Sequence, residues 1–361
     1  SKIEHEKDLW VVGVDETANI VSNVATVFEN AYSVNFLVHR FYGANHYNYN
    51  LGKKSPRVAL VLRMVCGPLL LGYLAARASN FFYVWDTGFL YHRLDGRAYE
   101  FNFLKKRGKK IVTFFCGSDI RSPLLSLEHA KSLDIDVMAT YQAMSDPKFT
   151  SPEFEARVRR TAEAAERYAD HIFNAPVDQI GYITRDVHPF VYFYPDEKFK
   201  KNEAKYHQIR RVKIVDAPSS FIIKGTQLIR TALKKLKLEG YDFEYVEIIN
   251  MPHSVVIEHL QTAHIVVNEL YAFVPGIFGL EAMAAYCAVL TSADSAIEPT
   301  LPEGANDAWM VTKYWQIYEN LKRMLDEPHL MRETADRGYA WAWAHCRSSA
   351  ARQHMKRLLE S

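Results

Sequence analysis

The sequence predicts an α/β chain made of two Rossmann-like, doubly wound domains. Three observations predict it. Short apolar runs alternate with helical patterns along the chain, which marks parallel βαβ units. A charged stretch at residues 198–211 (KFKKNEAKYHQIRR) lacks an apolar stripe, and the alternation restarts after it. The 361 residues, 48% apolar and 24% charged, are enough for two cores. The expected division is residues 1–200, residues 201–340, and a closing helix at 341–361 that returns to the first domain. Such sheets bind ligands outside the carboxyl ends of their strands, so a cleft between two facing domains is the expected site.

In the first half the strand candidates are residues 10–14, 34–38, 81–85, 110–115, 171–174 and 190–193. Residues 17–29 place Ile20, Val24 and Val27 on one helical face, and residues 153–168 form a polar, Ala-rich helix. In the second half, strands are expected at 212–215, 243–248, 265–267 and 288–290. A helix opens at Thr226, an N-cap candidate, repeats Leu228, Ile229, Ala232, Leu233 and Leu236 at helical spacing, and ends at Gly240. Further helices are expected at 254–263, 280–286, 315–325 and 348–359.

Composition bounds the function. A formal net charge of +2 argues against a dedicated nucleic-acid binder. Cys66, Cys116, Cys287 and Cys346 show no CxxC or disulfide-framework spacing, and the N-terminal SKIEHEKDLW lacks the apolar core of a signal peptide. A cytoplasmic protein is the expectation. Residues 58–76 (VALVLRMVCGPLLLGYLAA) are long and apolar enough to span a bilayer, but Arg63 lies inside them and Gly67-Pro68 interrupts them. The segment reads as a buried helix pair or a helix and turn. The alternative is a patch resting on a membrane.

Two segments of the second half carry the strongest chemical signal. Residues 215–226 read VDAPSSFIIKGT, and residues 275–285 read PGIFGLEAMAA. Each runs from a strand or loop into a helix. Together they resemble the donor-binding domain of the family 4-like glycosyltransferases of the GT-B fold. There an APS-like turn precedes a KG pair, here Lys224 and Gly225, and a Gly-containing loop runs into an EAMA helix about 50 residues on. The resemblance covers residues 211–291 well and the rest more loosely.

The chemistry fits. Breaking the bond between an anomeric carbon and a nucleoside diphosphate leaves negative charge on the phosphate. A helix N-terminus opened by Gly276, Ile277 and Phe278 would stabilise that charge, and Lys224 would add a full positive one. The resemblance assigns ribose hydroxyls to Glu281. Ser219 and Ser220 stand where relatives often carry an arginine, and Phe273 stands where they carry an acid. Glu269 and Tyr271 are the nearby replacements.

In the first half, residues 111–123 (IVTFFCGSDIRSP) resemble an acceptor-side loop that reads HGSDIR in many relatives, with Cys116 at the histidine position. Asp119 would orient or deprotonate an acceptor hydroxyl, and Arg121 would pair with an anionic group. The alternative is a turn cap for Asp119 and a local ion pair for Arg121. Trp85 and Asp86, after another apolar run, are candidates for stacking on and binding a sugar acceptor. The alternative there is a capped turn after a buried strand. Residues 13–17, with two acids and one glycine, are a weaker loop. Asp134 and Asp136 form a DxD pattern, read as surface acids, and no other metal-ligand spacing occurs.

The resemblance implies a retaining, metal-independent transfer without a cofactor, from a nucleotide sugar to a saccharide or lipid-linked acceptor. Cell-envelope or exopolysaccharide synthesis is the expected setting, with possible contact at the inner membrane surface. A nucleotide-sugar epimerase on the same fold, or a non-catalytic nucleotide-sugar-binding subunit, are the rival readings.

Overall fold

Runs of β-branched and aromatic residues form the strands, and polar residues gather in the loops after them. The structure, a computed structural model, describes residues 8–37, 46–90 and 95–360. The N-terminal residues 1–7 and Val38, which entered the readings above, lie outside these. The first half runs β1 (Trp10–Val14), α1 (Ile20–Ala25), β2 (Ala31–Asn35), β3 (Tyr49–Asn50), α2 (Pro56–Ala75), β4 (Asn80–Val84), α3 (Ala98–Lys105), β5 (Lys110–Phe114), α4 (Pro123–Leu133), α5 (Met138–Ser145), α6 (Pro152–Tyr168) and β6 (His171–Phe173). The second runs β7 (Val212–Asp216), α7 (Thr226–Leu238), β8 (Phe243–Glu247), α8 (His253–Thr262), β9 (Ile265–Val267), α9 (Gly276–Ala284), β10 (Ala288–Thr291), α10 (Ala305–Ala308), β11 (Met310–Val311), α11 (Ile317–Asp326), α12 (Pro328–His345) and α13 (Ser348–Glu360).

Among the described residues the strands form two parallel sheets, ordered β3-β2-β1-β4-β5-β6 and β11-β10-β9-β7-β8. Both are doubly wound orders. The chain reverses direction across the sheet between β1 and β4 in the first, and between β7 and β9 in the second. Ligands of such sheets bind at the carboxyl ends of the strands beside that reversal. Val11, Phe81, Ile111 and Ile172 belong to the first core, and Ile214, Ile265, Val267 and Ala288 to the second.

The chain divides into two compact units. Unit 1 holds the residues up to Ser126, Thr150–Val191 and those from Arg352 on; unit 2 holds Leu127–Phe149 and Tyr192–Ala351. Residues 198–211 are therefore part of unit 2. They carry the buried Tyr206, whose hydroxyl donates to the carbonyls of His264 (2.9 Å) and Tyr286 (3.1 Å). The charges around Tyr206 had hidden this anchor.

Other departures have local causes. The helix expected at 17–29 shrinks to α1, because Ala18 and Asn19 take left-handed φ values of 52° and 63° before it. Thr226 does not cap α7. Gly225 does, at φ 74°, while Thr226 Oγ1 donates to Asp216 at 3.3 Å. Residues 190–193 form no strand of either sheet, although Val191, Tyr192 and Phe193 are buried. Residues 58–76 are not a helix pair: α2 runs unbroken through Gly67 and Pro68. Pro68 is exposed, so the carbonyl that its ring displaces lies on the outer face rather than in the core.

Candidate functional site

In unit 2 the loops after β7 and β9 meet at the point of reversal. The Lys224 ammonium ion-pairs with Glu269 Oε1. Glu269 is buried. Its backbone carbonyl accepts from Ser292 N (2.9 Å), Ser292 Oγ (3.1 Å) and Thr291 Oγ1 (3.2 Å), which fixes the loop. Its Oε2 has no hydrogen-bond partner among the described residues.

Glu269 Oε1 also lies beside the start of α9. Gly276 sits there at φ 61°, and a Cβ on it would stand 3.6 Å from that oxygen. Asn268 Nδ2 donates to the Pro275 carbonyl at 2.5 Å and so pins the turn into the helix. Gly279 makes room for this, since a Cβ there would come within 2.6 Å of the same nitrogen. Among the described residues no side chain caps α9, so the first-turn N–H groups of Gly276, Ile277 and Phe278 have no side-chain acceptor. The arrangement supplies a lysine, a helix N-terminus and a buried carboxylate within one loop cluster, which suits an anion joined to a hydroxylated group.

Glu281 lies on α9 itself, buried, and shares a 2.7 Å hydrogen bond with His253 Nε2. That bond lifts the His253 pKa above its ordinary value, against partial burial and Lys198, which lower it. His253 opens α8, just after β8, and was not among the residues singled out in the sequence. Asp216, at the end of β7, was also missed. Burial pushes its carboxyl up to about 7, against the Thr226 hydrogen bond. A carboxylate closing an apolar strand before a helix was the available signal.

The remaining donor-side candidates divide. Ser219 is exposed, and Ser220 accepts the Lys224 N–H through its carbonyl at 3.0 Å. Tyr271 is buried between the rings of Tyr141 (4.7 Å) and Tyr314 (5.5 Å), and Phe273 is buried near His129. Asp134 is exposed in a turn, while Asp136 accepts from Tyr141 at 2.6 Å.

In unit 1 every charged candidate is tied to an internal partner. The Asp119 carboxylate accepts from the N–H groups of Cys116 (3.0 Å) and Gly117 (2.6 Å), which shapes the turn after β5. It is wholly buried, and burial pushes its pKa up to about 6 against those bonds. The capped-turn alternative describes its geometry. Arg121 pairs with Asp178 at 2.5 Å, both buried. Asp86 pairs with Arg157, which also donates to the Ser118 carbonyl at 2.9 Å. Trp85, half-buried, takes a left-handed φ of 72°.

The loop after β1 is closed in the same way. Asp15 pairs with Arg63 at 3.0 Å and receives the Thr87 hydroxyl. Glu16 accepts from Val21 N (3.2 Å), Ser22 N (3.1 Å) and the Tyr47 hydroxyl (2.6 Å), so its carboxylate occupies the N-terminus of α1.

No protein-family profile and no curated protein sequence matches this chain. Solved structures do. The chain is similar to a sucrose-phosphate synthase from Thermosynechococcus elongatus, with 12% identity, a TM-score of 0.63 and 98% of each chain covered. It is similar to S. aureus MnaA, solved with UDP, with 14% identity, a TM-score of 0.52 and coverage of 98% and 97%. WaaG, a glycosyltransferase involved in lipopolysaccharide biosynthesis, matches with 14% identity, a TM-score of 0.52 and coverage of 96% and 98%. At these identities the likeness establishes the fold: the chain has the two-domain α/β architecture of GT-B.

Proposed function

We propose that this protein is a glycosyltransferase that moves a sugar from a nucleotide-diphosphate donor to a saccharide or lipid-linked acceptor. The observation that carries the proposal is the cluster of Lys224, Glu269 and the uncapped N-terminus of α9 at the reversal point of the second sheet. Unit 2 binds the donor and unit 1 the acceptor. The UDP held by MnaA supports a nucleoside diphosphate on this fold. WaaG, a glycosyltransferase involved in lipopolysaccharide biosynthesis, supports a cell-envelope setting; exopolysaccharide synthesis and a cytoplasmic location at the inner face of a membrane belong to the same reading.

In this reading Lys224 and the N–H groups of Gly276, Ile277 and Phe278 hold the diphosphate. Glu281 accepts from the ribose hydroxyls, and Glu269 Oε2 from a donor sugar hydroxyl. As the bond from the anomeric carbon to phosphate breaks, its electron pair passes to the phosphate oxygen, where Lys224 and the helix stabilise it. The acceptor oxygen bonds to the anomeric carbon from the same face, and its proton passes to the leaving phosphate. The transfer is retaining and draws its positive charge from Lys224 and the backbone rather than from a metal.

The test is a thermal-shift screen against UDP, GDP, CDP and their sugar conjugates. One nucleotide at about 100 times its dissociation constant stabilises the fold by about 2.7 kcal/mol. Lys224→Ala and Glu281→Ala abolish the shift. Absence of any shift at millimolar nucleotide would sink the donor site. Product analysis with and without an acceptor then separates transfer from epimerisation.

A further inference from the structure

Helix α2 is built inside out. An ordinary surface helix buries its apolar face and turns charges outward. Here Val58, Val61, Met64, Val65, Leu69 and Tyr73 share the outer face, with exposures between 48% and 71%. The buried face carries Ala59, Gly67, Leu71 and Leu74 and the helix's one internal charge, Arg63. That guanidinium is neutralised inward, by Asp15 at 3.0 Å and the Gly88 carbonyl at 2.9 Å. The helix is long and apolar enough to cross a membrane by length and composition. Its inner face is instead packed into the first core, through Ala59, Leu71, Leu74 and Ala75, and Gly67 lies against the Phe89 carbonyl.

Charge marks both ends of the outer stripe. Lys53 and Lys54 are exposed just before α2, and Arg57 is exposed in its first turn. Arg77 follows its last turn, with its guanidinium 4.7 Å from the Tyr73 ring centroid and bonded to the Tyr73 hydroxyl. Residues 30–85 contain no Asp or Glu. An apolar stripe with cationic ends and an aromatic-basic pair at one of them fits a helix lying in a lipid interface.

We propose that the outer face of α2 is a docking surface for an anionic phospholipid membrane, with the helix lying flat in one leaflet. The inference deepens the membrane contact included in the proposed function and rests on that part of it. It names the face and the lipid charge. A second copy of this chain is the competing occupant. Pairing two α2 stripes would bring cationic ends against cationic ends whether the helices ran parallel or antiparallel, whereas anionic headgroups complement both ends.

The test is co-sedimentation of the full chain with phosphatidylglycerol–phosphatidylcholine vesicles and with phosphatidylcholine vesicles. Nucleotide thermal shift is measured on the same samples. Binding is expected to the anionic vesicles, weakening as salt rises. Lys53→Gln, Lys54→Gln and Arg57→Gln each weaken it by about five-fold, the equivalent of about 1 kcal/mol per charge. Val65→Glu and Leu69→Glu, on the exposed face, abolish it while leaving the melting temperature and the nucleotide shift intact.

Equal binding to both vesicle types would overturn the role of lipid charge. Retention by the glutamate variants would overturn the assignment to α2. Self-association abolished by Val65→Glu, without vesicle binding, would give the face to a second copy. Failure to bind either vesicle while a nucleotide still stabilises the protein would overturn the membrane surface and leave the donor site standing. Vesicle binding without any nucleotide shift would do the reverse.

Discussion

The two units place polar residues at equivalent points, at the carboxyl ends of parallel strands beside a reversal, and use them differently. In unit 1, Asp15, Glu16 and Asp119 are buried and matched by Arg63, by the start of α1 and by the turn after β5, while Asp86 ion-pairs with Arg157 through one oxygen and its Oδ1 has no hydrogen-bond partner among the described residues. In unit 2 the Lys224–Glu269 pair is partly open, one Glu269 oxygen has no partner among the described residues, and α9 has no capping side chain. A shared doubly wound architecture therefore does not imply identical chemistry. A charge at a strand end is available to a ligand only where the fold has not already satisfied it.

The largest effect should come from breaking the closed side. Arg63→Met removes the partner of buried Asp15 and leaves that carboxylate uncompensated. A loss of about 3–5 kcal/mol in unfolding free energy is expected. Nucleotide affinity of the surviving folded protein should not change. A variant as stable as the parent in urea titrations would mean that Asp15 is hydrated and that unit 1 is as open as unit 2.

On the open side, Lys224→Ala should cost less stability than Arg63→Met, because the Lys224–Glu269 pair is more open to water, and should lower the transfer rate by about 10²–10³-fold, the usual consequence of losing one stabilising contact to a developing anion. A sensitive single-turnover assay with the donor identified by thermal shift reads this. A rate within a factor of two or three of the parent would remove Lys224 from the diphosphate.

How much of this was legible in the sequence follows from the range of each interaction. The strands and the EAMA helix were legible because apolar runs and a glycine turn are local signals, and Lys224, Glu269 and Gly276 lie in the loops those signals bound. Partners were not. Arg157 reaches Asp86 across much of unit 1, and Tyr206 is buried by backbone carbonyls that no pattern at residues 198–211 announces. Asp119 looked like an acceptor-site acid because its partners are the backbone N–H groups of Cys116 and Gly117, which leave no trace in residue identity. The apolar composition of α2 was plain, but which side faces the core depends on Asp15, far away in sequence. His253 was missed for the same reason, its partner being on another helix.

Asp119 tests whether the closed side is closed. Its carboxyl is pushed up to about 6, so in the folded protein it holds a proton that the unfolded chain releases near pH 4. Between about pH 4 and pH 6 the native state binds more protons, and this group's contribution to stability falls as pH rises. The full swing is about 2–3 kcal/mol. Asp119→Asn should flatten that slope in urea melts at pH 4, 5 and 6. An unchanged slope would mean an ordinary carboxylate, in contact with water and open to an acceptor.

The smallest effect concerns the pair that bridges the comparison, since Glu281 is buried like the acids of unit 1 yet is assigned to a ligand. His253 holds it from a half-exposed position, and its pKa is raised above 6.5 by that bond. The stabilising ion pair is fully present below pH 6.5 and is lost as pH rises through the raised value. Protonated His253 also competes with ribose hydroxyls for the Glu281 oxygens. Nucleotide affinity should therefore rise by a few-fold from pH 6 to pH 8.5 in the parent, the scale of a part-exposed ion pair, and stay level in His253→Gln. Parallel pH profiles for the two proteins would show that Glu281 is not contested, and that its bond to His253 belongs with the satisfied pairs of unit 1 rather than with an open site.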